Sequence, residues 1–194
     1  MADKPTRRAR QAHARIRAAE LSPGPCAAVL GRGRQTARMD RGGDDLVIRR
    51  ATAADAEAAA QLVHAAYQHY VPRIGRPPMP MTLDYTRIVA AGHTWLAERD
   101  GHLVGVLVLE HFDDHVLVEN LAVRPDTQGT GVGSRLLRHA EGEALARNVR
   151  EMRLYTHELM TENRAYYPRR GYRETHLSGD PPWRRAFFAK ELRG

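Results

Sequence analysis

The sequence predicts an α/β fold with strands and helices in the order β-α-α-β-β-β-α-β-α-β-β. Three observations carry that reading. A glycine-rich stretch, Gln128-Gly129-Thr130-Gly131-Val132-Gly133, lies between an apolar strand and an amphipathic helix. A further strand, Met152-Arg153-Leu154-Tyr155-Thr156, follows that helix. Short apolar runs bounded by Asp-Gly, Pro and Gly turns flank this central unit on both sides.

Leu46 to Ala51 reads as the first strand, and Thr52 with Asp55 three residues on forms a variant capping box for the next helix. Leu62, Val63, Ala66, Tyr67 and Tyr70 mark the buried side of that helix. Five glycines and prolines between Val71 and Pro80 predict a loop there, and a short helix is expected over Leu83 to Ala90. Trp95 to Glu98 and Leu103 to Leu109 are strands joined by an Asp-Gly turn at Asp100-Gly101. His111 to His115 turns the chain into Val116-Leu117-Val118-Glu119-Asn120-Leu121-Ala122-Val123, apolar enough on both faces to be central in a sheet. Pro125 and Asp126 end that strand. After the glycines, Leu136, Leu137, Ala140, Ala144 and Leu145 recur at helical spacing. Arg173 to Leu177 and Arg185 to Lys190 read as a terminal antiparallel pair.

Three glycines in five residues cost backbone entropy, so they belong where backbone approaches another group closely. The unpaired N–H groups of the adjoining helix start make a ready anion site, and a phosphate is the obvious guest. Two common phosphate loops fail here. A P-loop requires Gly-Lys-Ser/Thr, and Val132-Gly133-Ser134 has no lysine. A dinucleotide fingerprint counted from Gly129 places Ser134 where its third glycine should stand.

The stretch resembles motif A of the GNAT N-acetyltransferase superfamily, Gln/Arg-x-x-Gly-x-Gly/Ala, at Gln128, Gly131 and Gly133. A second segment, Asn163-Arg164-Ala165-Tyr166-Tyr167-Pro168-Arg169-Arg170-Gly171-Tyr172, is similar to the family's Asn…Tyr-x-x-x-Gly-Phe/Tyr pattern. Tyr167 takes the tyrosine position and Tyr166 is its neighbouring rival. The resemblance covers residues 46 to 192. It implies the GNAT acyl-CoA N-acyltransferase fold, a mixed, mostly antiparallel central sheet flanked by helices. It also implies acetyl-CoA as acyl donor. Gln128, Gly129, Thr130, Gly131, Val132, Gly133 and Ser134 would hold its pyrophosphate. Leu121, Ala122 and Val123 would supply backbone to the pantetheine arm and the oxyanion, and Asn163 would lie near the arm or the acetyl group. Asparagine also suits a helix N-cap, and both roles can hold.

Acetyl transfer to an amine needs a base for the amine proton, a donor for the oxyanion and a proton source for the departing thiolate. Tyr167 is the candidate acid; the alternative is a core aromatic. Glu119 is the candidate base, since alternation puts it on one strand face with Leu117, Leu121 and Val123, where desolvation would raise its pKa. A structural carboxylate or a water chain is the alternative. Acceptor selection is expected from Tyr67, Tyr70, Arg73, Arg76, Met79, Met81 and Tyr85, where the two arginines either hold a carboxylate or phosphate on the acceptor or, as is commoner, face solvent from a loop. His111-Phe-Asp-Asp-His115 falls in a turn without further ligands at spacing, so no metal is expected.

Composition bounds the rest. The chain has 194 residues, enough for one domain, with no apolar run long enough to span a bilayer. Residues 1–44 hold ten Lys/Arg against four acids, so six of the seven net positive charges lie there. This segment reads as a basic, disordered extension, with Met39 as an alternative start; residues 45–194 form the GNAT domain. No aromatic residues interleave those arginines, which argues against nucleic acid. The single cysteine, Cys26, suits a reducing compartment and leaves the domain without a thiol nucleophile, so a cytoplasmic enzyme using direct transfer is expected. The expected partner is a small-molecule primary amine, with a homodimer as the compatible assembly. A protein N-terminus or lysine, a non-catalytic acyl-CoA-binding module and a nucleic-acid-associated protein are the competing readings.

Overall fold

The computed structural model describes residues 46–193. The basic segment 1–44, with Cys26 and Met39, lies outside the described residues. Strand β1 (Val47–Arg50) leads through a turn at Ala53–Asp55 into α1 (Ala56–Tyr67). The expected capping contact is made: the Asp55 carboxylate accepts the Thr52 N–H at 2.7 Å and its hydroxyl at 2.8 Å.

The segment expected to be a loop contains a short helix, α2 (Val71–Ile74), and a 3₁₀ turn at Met79–Thr82. Pro72 falls in the first turn, where no helical N–H is required of it, and Gly75 ends the helix at φ 79°. Helix α3 (Tyr85–Ala90) is capped by Asp84, whose carboxylate accepts from the N–H groups of Thr86 and Arg87. Then come β2 (Thr94–Arg99), β3 (His102–His111), β4 (Val116–Val123), α4 (Val132–Ala146), β5 (Glu151–His157), α5 (Thr161–Tyr166), β6 (Arg173–Ser178) and β7 (Arg185–Glu191).

The strands form one seven-stranded sheet in the order β1-β2-β3-β4-β5-β7-β6. Every neighbouring pair is antiparallel except β4 with β5. Helix α4 covers one face through Leu136, Leu137, Ala140 and Ala144, which pack on Leu107, Met152, Leu154 and Phe188. Helices α1 and α3 cover the other face over β2 to β4, through Ala59, Leu62, Val63 and Tyr85 against Leu96, Val106 and Ala122. No helix of the described residues is long and apolar enough to cross a membrane.

Two departures from regular pairing shape the space beside β4. The ladder between β4 and β5 covers only Val116–Val118 against Met152–Leu154, after which it ends and leaves a gap. On the other side of β4, Val118 pairs with Leu109 and Asn120 with Val108, so Glu119 is an extra residue in a β-bulge.

Candidate active site

The gap between β4 and β5 opens into a cavity of about 560 Å³. Its walls are Ala66, Tyr67 and Tyr70 from α1 and its continuation, Leu121–Val123 from β4, the glycine loop, and Asn163, Tyr166, Tyr167, Arg169 and Arg170. Gly129 and Gly131 adopt φ of 79° and 94°, the left-handed region, and Gly131 stands as the N-cap of α4. The first helical bond runs from Arg135 N to Gly131 O at 3.0 Å, leaving the N–H groups of Val132, Gly133 and Ser134 without helical acceptors. Gly133 is required for a different reason: a Cβ there would stand 2.8 Å from the Tyr166 hydroxyl.

The cavity gathers most of the expected residues. Leu121, Ala122, Val123, Gln128, Gly129, Gly131, Gly133, Ser134, Asn163 and Tyr167 all line it. The Gln128 amide donates to the Val123 carbonyl at 3.2 Å, which ties the loop to the strand before it. Thr130 is turned elsewhere: its hydroxyl donates to Thr127 O at 2.7 Å and accepts from Arg99 at 3.0 Å. The Val132 side chain is in the core, so only its backbone faces the loop. Asn163 donates to Thr156 Oγ1 at 3.3 Å and accepts from the Tyr70 hydroxyl at 3.5 Å. Since Met160 precedes α5 as its N-cap, the N-cap alternative for Asn163 does not hold.

Tyr167 is buried, its ring set against Tyr166, Tyr172 and Phe188 at centroid distances of 5.5 to 6.1 Å. Its hydroxyl has no hydrogen bond among the described residues. Burial pushes the phenol pKa up, so the group stays protonated and can only donate to an anionic guest. Tyr166, the rival, places its hydroxyl 3.4 Å from Ser134 Oγ at the glycine-loop end of the cavity.

Glu119 departs from expectation. It does not share a face with Leu121 and Val123, because the bulge interrupts the alternation on which that reading depended. Val118 still packs under α4, as Leu121 and Val123 do. Glu119 instead accepts a 2.6 Å hydrogen bond from Tyr155, which alternates with Leu154 and so points away from α4. Burial pushes the Glu119 carboxyl up and the Tyr155 bond opposes it; the nearby Glu110 adds a further upward push. Glu119 therefore lies on the opposite sheet face from the glycine loop and does not line the cavity.

Sequence reasoning passed over Asn120. It is buried within an apolar run, accepting from Tyr67 at 2.8 Å and donating to Tyr85 at 2.9 Å, whose hydroxyl donates to Pro80 O at 3.2 Å. This directed chain pins α1 and α3 to β4. An amide in the middle of Val116–Val123 was the available signal. Arg170 was also passed over: it lies on the Tyr166 ring and bonds Ser134.

The two arginines of the acceptor segment are engaged within the protein. Arg73 pairs bidentately with Glu162 at 2.6 and 2.8 Å, and Arg76 stacks on Trp183. His111 and His115 point to different neighbours, His93 and Asp114, and burial lowers the His111 pKa to about 4. Among the described residues no three His, Cys, Asp or Glu side chains are grouped to hold a metal.

Residues 58–172, which include the glycine loop and the Tyr167 segment, match the Acetyltransferase (GNAT) family model. The structure is similar to PaiA N-acetyltransferase from Thermoplasma acidophilum, crystallised with coenzyme A (TM-score 0.65, 16% identity, 76% of this chain and 99% of that one). It is also similar to a GNAT acetyltransferase from Elizabethkingia anophelis with acetyl-CoA bound (0.59, 18%, 77% and 100%). A third similar structure is the ribosomal-protein-S18-alanine N-acetyltransferase of Escherichia coli (0.59, 19%, 76% and 94%). With its glycine loop and tyrosine segment both inside the matched span, the chain belongs to the Acetyltransferase (GNAT) family.

Proposed function

We propose that the protein transfers the acetyl group of acetyl-CoA to the primary amine of a small molecule by direct attack within a ternary complex. One observation carries this reading: the cavity between β4 and β5 joins the loop amides, the unpaired edge of β4 and the partnerless Tyr167 hydroxyl in one space. The residues fit the donor. The N–H groups of Val132, Gly133 and Ser134, with the glycine loop before them, suit its diphosphate, and the β4 edge at Leu121–Val123 suits its extended amide arm.

The chemistry then divides among the chain's residues. A backbone N–H of β4 near Leu121–Val123 takes the charge that develops on the thioester carbonyl oxygen. Nitrogen forms a bond to the acetyl carbon as the carbon–sulfur bond breaks, and Tyr167 donates a hydrogen bond to the leaving sulfur. Glu119, raised by burial and held by Tyr155 outside the cavity lining, accepts the amine proton through intervening water.

A small acceptor is favoured because the segment after α1 meets the β6–β7 connection. Arg76 stacks on Trp183, and Arg185 reaches the Met79 sulfur at 3.6 Å. A protein N-terminus or lysine is the second reading. His176 stacks on Phe187 and Phe187 leans on Tyr155, making an aromatic surface from Glu119 to the exposed strand β6. The single cysteine, outside the domain, accords with direct transfer and a reducing, cytoplasmic setting. Thiol release from acetyl-CoA with a panel of small amines and peptides tests the proposal. Small amines should turn over first; donor binding without any turnover would refute catalysis and leave an acyl-CoA-binding module.

A further inference from the structure

The first turn of α4 and the segment after α5 bring together backbone N–H groups without helical acceptors and a guanidinium that no carboxylate faces. The Arg170 guanidinium lies flat over Tyr166, its Cζ 3.6 Å from the ring centroid. Its Nε and Nη2 donate to Ser134 Oγ at 3.0 and 2.7 Å, and Nη1 donates to the Tyr166 carbonyl at 3.3 Å. The two bonds to Ser134 occupy both acceptor positions of its hydroxyl, which is left to donate to the Tyr166 hydroxyl at 3.4 Å. The unpaired N–H groups of the first turn of α4 lie beside it.

No carboxylate balances this group. Glu162, the acid that lines the cavity, is held by Arg73, and Glu141 is held by Lys190 at 2.8 Å. Arg170 makes no ion pair among the described residues. A guanidinium fixed near the positive end of a helix raises the energy of the empty site, and an anion facing both lowers it. The guanidinium is also pre-set: the ring below it and Ser134 beside it limit its rotamers before any guest arrives.

We infer that Arg170 clamps the diphosphate of acetyl-CoA, acting as the side-chain partner of the glycine-loop amides. The inference rests on the donor reading above. The diphosphate is chosen over the 3′-phosphate because Arg170 is bonded to Ser134, whose own N–H belongs to the helix turn that meets the loop. Arginine suits the position because its planar fork can meet two phosphate oxygens while stacked, which a lysine cannot do.

Calorimetric titration of the full chain with acetyl-CoA and with acetyl-dephospho-CoA tests the clamp. Arg170→Gln should raise Kd about 10- to 100-fold for both thioesters. Arg170→Lys should recover part of the loss, with kcat at saturating donor within about twofold of wild type. Arg164→Gln, which removes the same charge from an ion pair with Glu174 away from the cavity, should leave Kd within about threefold. The ligand-free Tm of each variant reports folding; if Arg170→Gln melts early, Arg170→Lys carries the test with a smaller expected loss. A loss that vanishes with acetyl-dephospho-CoA would move Arg170 to the 3′-phosphate and overturn the assignment. Arg170 variants that bind as tightly as wild type refute the clamp alone. A wild-type chain that binds neither thioester refutes the donor reading, and the clamp with it.

Discussion

Gly133→Ala isolates the close approach between α4 and Tyr166. A Cβ at this position stands 2.8 Å from the Tyr166 hydroxyl, 3.5 Å from Val123 Cγ2 and 3.6 Å from Tyr166 Cζ. Only the first contact is too short. Tyr166 cannot yield cheaply, since Arg170 lies on its ring and Tyr167 meets it edge-on. Overpacking of this kind costs about 1–3 kcal/mol. Alanine is a better helix former than glycine by about 1 kcal/mol, so the net effect of Gly133→Ala alone is a loss of about 0–2 kcal/mol. Tyr166→Phe removes the offending atom and leaves only ordinary contacts, at the cost of a weak 3.4 Å contact with Ser134. In that background Gly133→Ala keeps its propensity gain and should stabilise by up to about 1 kcal/mol. Urea unfolding of the four members of this cycle, with m-values checked for constancy, measures the coupling. A coupling of about 1–3 kcal/mol is expected; additivity within about 0.5 kcal/mol would refute the close approach.

Tyr167→Phe should lower kcat about 10- to 100-fold with little change in acetyl-CoA affinity, and unchanged turnover would remove Tyr167 from the chemistry. Tyr155→Phe removes the hydrogen bond that favours ionised Glu119, so the carboxyl pKa rises and the acidic limb of kcat/KM moves to higher pH. A limb that stays or moves down would exclude Glu119 as the titrating base. Phe188→Ala should cost about 3–5 kcal/mol in denaturant unfolding, because Phe188 is 1% exposed and supports Tyr167; a loss under about 1 kcal/mol would contradict that packing. Arg49 holds the Asp55 carboxyl well below its usual range, so the pair stabilises the fold above the ordinary carboxylate pKa near 4 and loses that contribution as pH falls. The stability difference between wild type and Asp55→Asn should therefore shrink on acidification, and a difference constant from pH 6 to pH 2 would overturn this account.

What was legible in the sequence depended on local signals. Leu136, Leu137, Ala140 and Ala144 announce α4 because its buried stripe repeats at helical spacing, and the glycines before it have few other uses. Asp55 and Thr52 lie three residues apart and meet as expected. The short helix α2 is hidden because Pro72 reads as a breaker, although in a first helical turn it breaks nothing. Glu119 is misplaced by sequence for a different reason. Its face is set by the register of β4 against β3, a long-range choice that leaves one residue over, and no local pattern in Val116–Val123 reveals it. The pairing of Arg73 is not legible in the sequence because Glu162, its partner, is 89 residues away. The role given to Arg170 depends on the approach of α4 to the Tyr166 segment, again a tertiary fact.

The β4 edge indicates how the proposed donor arm would enter with little disruption. Beyond Val118 that edge has no strand beside it, and two side chains approach the carbonyls that face the gap. Gln128 donates to Val123 O at 3.2 Å. Tyr67 lies 2.8 Å from Asn120 Oδ1 and 3.4 Å from Leu121 O, but its hydroxyl has one proton, and the shorter contact claims it. Leu121 O is thus left as an open acceptor, while Val123 O holds one side-chain bond worth about 1 kcal/mol net. An extended arm bearing amides can take the first without breaking anything and the second by displacing Gln128. Tyr67 lines the cavity but keeps its shorter bond to Asn120 when an arm takes Leu121 O, and the Asn120–Tyr85 bond lies outside the cavity lining. Donor entry on the proposed reading therefore passes beside Tyr67 of α1 and leaves the Asn120–Tyr85 contact that fixes α3 over β4 untouched.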